Sequence, residues 1–456
     1  MPEEPQPPTD ADQPAPPNLR GGRSDALAIL TRLRDAGHVA YFAGGCVRDL
    51  LLGRDPKDWD VATDAPPGRV RSLFSNTQAV GAAFGVILVR RGGSAIEVAT
   101  FRVDAPYVDG RHPSAVRFTT AQEDAKRRDF TINGLFLDPL REGPLEDQVI
   151  DYVGGRDDLK ARLLRAIGDP DARFNEDHLR MLRAVRFAAR FGFTIEPTTA
   201  AAIIAHAPQL VRISPERIAD ELRTMLTPPT RSEAYRLLDS LHLRTLLFRF
   251  FPPPAGAAHR DRTVSIFNAT APGRPVPIPL SLAAAALDEQ LWHLPPAADR
   301  RELFQKSNVQ KVVQALRQSL KISNDESEAV QGALEAIAPL MDDAYPTVAL
   351  LKRFLARPTS PLSRELLESL RITGTLDPAR IEQLQNQLAV LEKTEYAPPP
   401  LITGDDLTAA GLSPGPAFKQ ILDTVYDAQL EDKITTRDQA MDLALRPAPK
   451  NRDGSN

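Results

Sequence analysis

The stretch Gly44–Asp64, G-G-C-V-R-D-L-L-L-G-R-D-P-K-D-W-D-V-A-T-D, decides how the first part of this chain is read. It follows an apolar run, Val39–Ala43, that predicts a strand, and residues 46–52 predict a helix start. A glycine pair between a strand and a helix lets backbone N–H groups approach a polyphosphate closely. Arg48, in the first turn after Gly44 and Gly45, can add a charge-assisted contact to the same phosphates. Asp58 and Asp60 stand two apart. On a strand, side chains at i and i+2 share a face, so both carboxylates converge. Two converging hard oxygen ligands beside a triphosphate suit Mg²⁺, which fills the rest of its shell from water and substrate phosphates. Taken singly, Gly-Gly also reads as a tight turn and D-x-D as a solvated or capping pair. Their joint occurrence, with Arg48-Asp49 between them, predicts a nucleotidyl-transfer site.

Outward from this stretch, the chain of 456 residues is long enough for several domains, and 42% apolar residues suffice for packed cores. A net charge of −4 gives no global positive field. Basic residues concentrate locally, with nine Lys/Arg against six Asp/Glu between Arg156 and Arg190. The single cysteine, Cys46, excludes an intrachain disulfide and a Cys-rich zinc site. No apolar run is long enough for a membrane span. The acidic, Pro-rich N-terminus lacks the features of a secretory signal, so the expected compartment is the cytoplasm. None of the seven histidines precedes an Asp, so no H-D metal dipeptide exists.

The expected fold class is α+β. Residues 1–23 predict a disordered segment. Residues 24–150 predict a head: a helix over 25–36, then strands at 39–43, 57–63, 85–90, 94–101 and 132–137. From Arg156 the pattern is almost wholly helical and punctuated by Pro-rich breaks. These breaks divide it into a neck at 151–228, a body at 229–396 and a tail at 397–446, before a frayed end at 447–456.

The Gly44–Asp64 segment resembles the first motif of the class II tRNA nucleotidyltransferase and bacterial poly(A) polymerase family, within the polymerase-β-like superfamily. R-R-D-F-T-I-N-G-L at Arg127–Leu135 resembles the second motif, G-G-R-D-D-L at Gly154–Leu159 the third, and E-D-H-L-R-M-L-R-A-V-R-F-A-A-R-F-G-F at Glu176–Phe193 the fourth. A tail segment, Ile402–Pro416, is more weakly similar, and residues 230–395 match no motif. His178 departs from many relatives at a position outside the implied base-reading pair. The resemblance implies a polymerase-β-like head with a small mixed sheet, Mg²⁺ on Asp58 and Asp60, and a third carboxylate for which Glu97 is the best-placed residue. An outward strand position is the alternative for Glu97. It further implies that Arg128 and Asp129 bind the nucleotide ribose. A carboxylate accepting from the 2′-hydroxyl selects RNA precursors over DNA ones. Asn133 is an auxiliary contact or a buried amide, and Gly155 and Asp158 belong to a head–neck coupling element. Residues 101–113 match a flexible loop in which Arg102, Asp104 and Arg111 matter most, unless it is a merely solvated hairpin.

In the fourth motif, Asp177 and Arg180 lie three apart on a predicted helix, with Leu182, Val185 and Ala189 on the core-facing stripe. They read either as a surface ion pair or as a template for a base edge. As a template, Arg180 donates to the ring nitrogen of C or A, and Asp177 accepts from the exocyclic amine. U and G present the opposite polarity, and each mismatch costs about 1–3 kcal/mol. Glu176 would orient Arg180, and Arg183 would support the carboxylate or contact phosphate. The expected activity is addition of CMP and AMP to the 3′ end of tRNA, from CTP and ATP with Mg²⁺. Poly(A) synthesis, or a split CC- or A-adding activity, is the alternative with the same chemistry. A non-catalytic RNA-binding module is a third reading, which the intact Asp58/Asp60 pair opposes.

Overall fold

The computed structural model describes residues 22–81, 84–104, 116–247, 266, 269–293, 300–342 and 344–446. The expected terminal disorder and Arg111 therefore lie outside the described residues. Contacts divide the chain into two compact units, one of residues 1–214 with 241–243, the other of 215–240 with 244–456.

The first unit is built on a seven-stranded mixed sheet. Its strands are β1 (Ala40–Ala43), β2 (Val61–Thr63), β3 (Thr77–Gly81), β4 (Val86–Arg91), β5 (Ser94–Thr100), β8 (Phe136–Leu137) and β9 (Val149–Ile150), in the order β3-β4-β5-β2-β1-β8-β9. A separate hairpin pairs β6 (Arg102–Asp104) with β7 (Val116–Phe118). Burial alternates along β5: Ile96 and Val98 are inaccessible, whereas Glu97 between them is exposed. The covered face receives α1 (Arg23–Asp35) and α3 (Pro67–Leu73), and α1 contributes the buried Ala26, Ile29, Leu30 and Leu33 at helical spacing. Between them in sequence, α2 (Gly45–Leu51) follows β1 directly.

Three expectations for the sheet need correction. Strand pairing in the D-W-D segment starts only at Val61, so Asp58 and Asp60 sit in the extended approach to β2. Their alternation nonetheless holds, because Trp59 between them is buried against Phe42, with ring centroids 4.9 Å apart. Residues 131–133 form a 3₁₀ turn, not a strand, and β8 begins at Phe136. The edge strand β3 was not expected; its sequence, T-Q-A-V-G, lacks an apolar alternation.

Further helices of this unit are α4 (Ala121–Lys126), the short α5 (Leu145–Gln148), α6 (Gly155–Ala161), α7 (Pro170–Glu176) and α8 (Leu179–Phe191). Asp169 caps α7 through the Asp171 amide, and Pro170 occupies its first turn, where the missing N–H costs nothing. Gly192 ends α8 in the left-handed region at φ +68°. On α8, Leu182, Val185 and Ala189 are buried as their spacing predicts.

The second unit is helical in its described parts, from Pro215–Leu226 to Arg437–Ala444. Capping boxes start helices of this unit, as Ser323 with Glu326 and Thr436 with Gln439 do. Residues 402–444 carry a core of their own, with Ile402, Leu407, Val425 and Ala440 at its centre. Among the described residues, no helix is long and apolar enough to cross a membrane.

Candidate active site

A cavity of about 490 Å³ in the first unit is lined by Gly44, Gly45, Arg48, Asp60, Arg127, Arg128, Asp129, Asn133, Asp177, Arg180, Arg183 and Phe187. Residues from all three sequence-predicted groups thus meet at one place: the glycine turn, the R-R-D-F-T-I-N segment and the start of α8.

Gly44 occupies φ +70°, and a Cβ there would lie 2.9 Å from a guanidinium nitrogen of Arg128. Only glycine meets both demands, positive φ and close approach. Its amide donates to the Leu135 carbonyl at 2.9 Å, tying the turn to the second motif. Gly155 answers a different crowding. A Cβ there would collide with the Thr131 carbonyl, so glycine lets α6 press on the 3₁₀ turn. Asp158 of α6 locks that contact by accepting from the Thr131 hydroxyl at 2.7 Å.

The carboxylate side is short of cations. Asp58 is exposed and Asp60 half-buried, and the parallel register of Val61 with Val98 brings Glu97 beside Asp60. Burial, then the Glu97 charge, pushes the Asp60 carboxyl up to about 7; Asp58 adds to this and Arg128 opposes it. Desolvation and the Asp58 charge likewise raise Glu97. Among the described residues, no three His, Cys, Asp or Glu side chains already form a closed metal-holding group. The donor chemistry nevertheless fits a hard divalent cation. Adjacent carboxylates that repel one another are relieved by such an ion, whose remaining ligands come from water and phosphate.

The opposite wall is fully paired. Asp129 accepts from the Phe130 amide (2.8 Å) and Asn133 Nδ2 (3.0 Å) on Oδ1, and from Arg183 Nε (2.9 Å) and Nη2 (2.8 Å) on Oδ2. Burial alone would raise its pKa, but the Arg183 charge and these hydrogen bonds bring it down to about 2. Its lone-pair sites are thus filled by protein donors. Asn133 is a buried bridge, since its Oδ1 also accepts from Arg48 Nη1 at 2.5 Å. Arg48 is itself buried and directs Nε and Nη2 to Asp49 at 2.9 and 2.7 Å. Arg128 donates from Nε and Nη2 to Asp124 and from Nη1 to the Asn133 carbonyl.

Asp177 and Arg180 do not lie on one helix. Asp177 is extended, at φ −147° and ψ 105°, and separates α7 from α8; its Oδ1 accepts from the Leu179 amide at 3.0 Å. Arg180 pairs instead with Glu176, Nη1 to Oε2 at 2.6 Å. Nη1 also donates to the Arg173 carbonyl and Nη2 to the Arg127 carbonyl. Three donors are thereby committed, leaving Nε–H and one Nη2 proton of the five. Arg183 supports the Asp129 carboxylate.

Several site residues carried no signal in the sequence. Phe187 lines the cavity, with the guanidinium groups of Arg48, Arg183 and Arg186 at 5.3, 5.3 and 4.7 Å from its ring centre. Its spacing of seven from Arg180 places it two turns along the same helix, a relation visible only once the cavity-facing side of α8 is known. Asp124, almost wholly buried, holds both Arg127 and Arg128 and accepts from the Arg102 amide. Arg102 donates to the Phe84 carbonyl at the base of the hairpin. For Asp104 the structure gives only its backbone pairing with Val116.

The sequence matches the model of the poly A polymerase head domain over residues 40–165 and that of a probable RNA and SrmB-binding site of polymerase A over 192–253. A putative tRNA nucleotidyltransferase domain 2 matches over 302–444. The CCA-adding enzyme of Leuconostoc mesenteroides is 33% identical over 421 residues, covering 92% of this chain and 94% of that protein. That of Geobacillus thermodenitrificans is 45% identical over 223 residues, which span 49% of this chain and 54% of that protein. The crystal structure of the Bacillus stearothermophilus CCA-adding enzyme in complex with CTP superposes with a TM-score of 0.66 at 28% identity, covering 92% of this chain and 96% of that one. On a relative matched nearly end to end, with family models over its sheet-bearing and helical parts alike, the chain belongs to the CCA-adding family of tRNA nucleotidyltransferases.

Proposed function

We infer that this cavity binds CTP and ATP in turn and adds CMP and AMP to the 3′ end of tRNA, completing CCA. The observation that carries the reading is the anchored Arg180. Three of its donors are fixed by Glu176 and two carbonyls, so its free edge is presented to the cavity in one orientation. Asp177 lines the same cavity and supplies the acceptor. C and A both offer a ring acceptor next to an amine, and that polarity suits the pair. U and G would leave a buried donor and a buried acceptor unpaired.

The triphosphate end meets the opposite side of the cavity. Gly44 makes room for close approach, Gly45 brings its backbone N–H at the start of α2, and Arg48 keeps one proton on each Nη after its bonds to Asp49 and Asn133. Arg128 and Asp129 form the ribose side. Because Asp129 already holds Arg183 and Asn133, accepting a 2′-hydroxyl requires one Arg183 bond to yield. Asp58 and Asp60 would hold Mg²⁺, with Glu97 as a third oxygen at the rim. The ion would acidify the RNA 3′-hydroxyl and neutralise the triphosphate during in-line displacement at the α-phosphate. Gly155 and Asp158 keep α6 seated on the 3₁₀ turn, and Arg102, at the base of the hairpin, joins the site through Asp124, which holds Arg127 and Arg128. The cytoplasm, where tRNA ends are matured, is the compartment this reading assigns.

The test supplies a tRNA lacking its CCA end, with CTP and ATP, and sequences the products. Termination after CCA is expected. A fixed RNA body limits how far the growing end moves before it no longer reaches the carboxylates. Long A tracts on unrelated RNA would replace this reading by poly(A) synthesis, and stopping at CC would identify a split activity.

A further inference from the structure

A second cavity in the first unit, about 910 Å³, lies between the end of α1, the end of α3 and the strands β3 and β4. Three arginines line it, Arg32, Arg71 and Arg91, and no acidic residue does. Arg32 is pinned by donating from Nε to the Leu73 carbonyl at 3.2 Å. Among the described residues, Arg71 and Arg91 have no ion-pair partner. Elsewhere in this unit arginines meet carboxylates freely, as Arg48, Arg127, Arg128, Arg165, Arg180 and Arg183 do. Three guanidinium groups gathered at one concavity without an acid repel one another, and an anion removes that cost. Ser75 and Thr77 add hydroxyl groups at the same wall.

This cavity is separate from the candidate active site. Arg91 pairs across the ladder with Ser94, and Val89 with Ile96, so Arg91 shares the face of Ile96 and Val98 that α1 and α3 cover. Glu97, one residue out of phase, points to the other face with Asp60. A triphosphate held at Gly44 and Asp60 therefore cannot also reach Arg71 and Arg91.

We propose that the Arg32–Arg71–Arg91 cavity binds phosphate groups, as a compact polyphosphate such as pyrophosphate or a nucleoside triphosphate, on the sheet face opposite the catalytic carboxylates. Arginine matches phosphate oxygens in fork geometry. The three side chains line one concavity instead of following a stripe, which suits a compact anion better than an extended RNA backbone.

The experiment titrates inorganic pyrophosphate into the full chain by calorimetry, without divalent metal, for the wild type and for R71A/R91A. The wild type should bind two equivalents and the double variant one, the remaining site keeping its affinity. R71K/R91K should retain the second site at reduced affinity, since charge persists while the fork is lost. Both arginines are exposed, so melting temperatures and CTP incorporation should match the wild type. A parallel arm measures single-stranded RNA binding against salt. A slope shallower by about two in R71A/R91A, with pyrophosphate binding unchanged, would overturn the compact-polyphosphate proposal and assign the cavity to an RNA backbone instead. A single pyrophosphate equivalent in the wild type with an unaltered RNA slope in the variant would overturn the proposal.

Discussion

The two walls of the active-site cavity treat their carboxylates in opposite ways. Asp58, Asp60 and Glu97 stand near one another with little cationic relief, and Asp60 is driven up to about 7. Asp129, across the cavity, is brought down to about 2 by Arg183 and Asn133. Glu176 and Asp124 are likewise each committed to two arginines. One wall holds charge that is unsatisfied until something cationic arrives. The other is satisfied in advance and rigid. Under the proposed function the difference separates chemistry from recognition: the carboxylates assigned to the metal are left electrostatically unbalanced, while Arg180, assigned to the base, is fixed by Glu176 and two backbone carbonyls.

The largest effect should come from the unbalanced wall. Asp58→Ala or Asp60→Ala should lower nucleotide incorporation by about a thousandfold or more, because the hard oxygen ligands are lost. Binding of tRNA, measured by filter retention, should be nearly unchanged. Incorporation close to the wild-type rate by either variant would remove these carboxylates from the reaction.

Changes on the recognition wall should alter choice more than rate. Arg180→Ala or Asp177→Ala should each erode discrimination against UTP and GTP by about tenfold or more, as one of the two polar mismatches ceases to be penalised. The measurement is single-nucleotide incorporation with each of the four triphosphates. Equal loss on all four, with selectivity intact, would make the pair structural.

Asp129 tests the same wall through stability. Its pKa is depressed on folding, so its contribution is fully present above the unfolded value near 4 and is lost as pH falls through about 2. Asp129→Asn should cost about 3 kcal/mol at pH 7, since Arg183 loses its buried partner. Urea melts at pH 7 and pH 3 should show the gap narrowing in acid. A gap independent of pH would mean that packing, not charge, is what Asp129 provides.

The two walls also differed in how far the sequence revealed them. Gly44, Asp60, Arg128, Asp129, Asn133, Asp177, Arg180 and Arg183 were all legible, since short motifs carry their residue types at fixed spacing, and all line the cavity. The partners that fix them were not. Asp49, Asp124 and Phe187 act through contacts set by tertiary packing, and nothing in their neighbours' identities announces this. The break at Asp177 was hidden for a similar reason. Apolar spacing runs through it without glycine or proline, so periodicity suggested one helix where there are two. The sheet was readable where apolar residues alternate, as in β4 and β5, and unreadable in β3, where they do not.

The smallest expected effect sharpens the contrast most directly, through the pH dependence of metal binding. Burial first, then Glu97 and Asp58, hold Asp60 near 7, above its unfolded value near 4. The folded chain therefore binds a proton there that the unfolded chain releases between about pH 4 and 7, so without metal its stability falls as pH rises through that window. The same proton competes with a divalent cation below 7 and is gone above it. Apparent Mg²⁺ affinity, read from the rise in melting temperature with added Mg²⁺, should increase about tenfold between pH 6 and pH 8. Glu97→Gln should shift that rise to lower pH, because one of the charges that raises Asp60 is removed. Asp129→Asn should leave it where it is, since Asp129 is titrated out of range and paired on the other wall. A Mg²⁺ affinity flat from pH 6 to 8 in the wild type would show that Asp60 is already ionised, and the two walls would then differ in geometry alone.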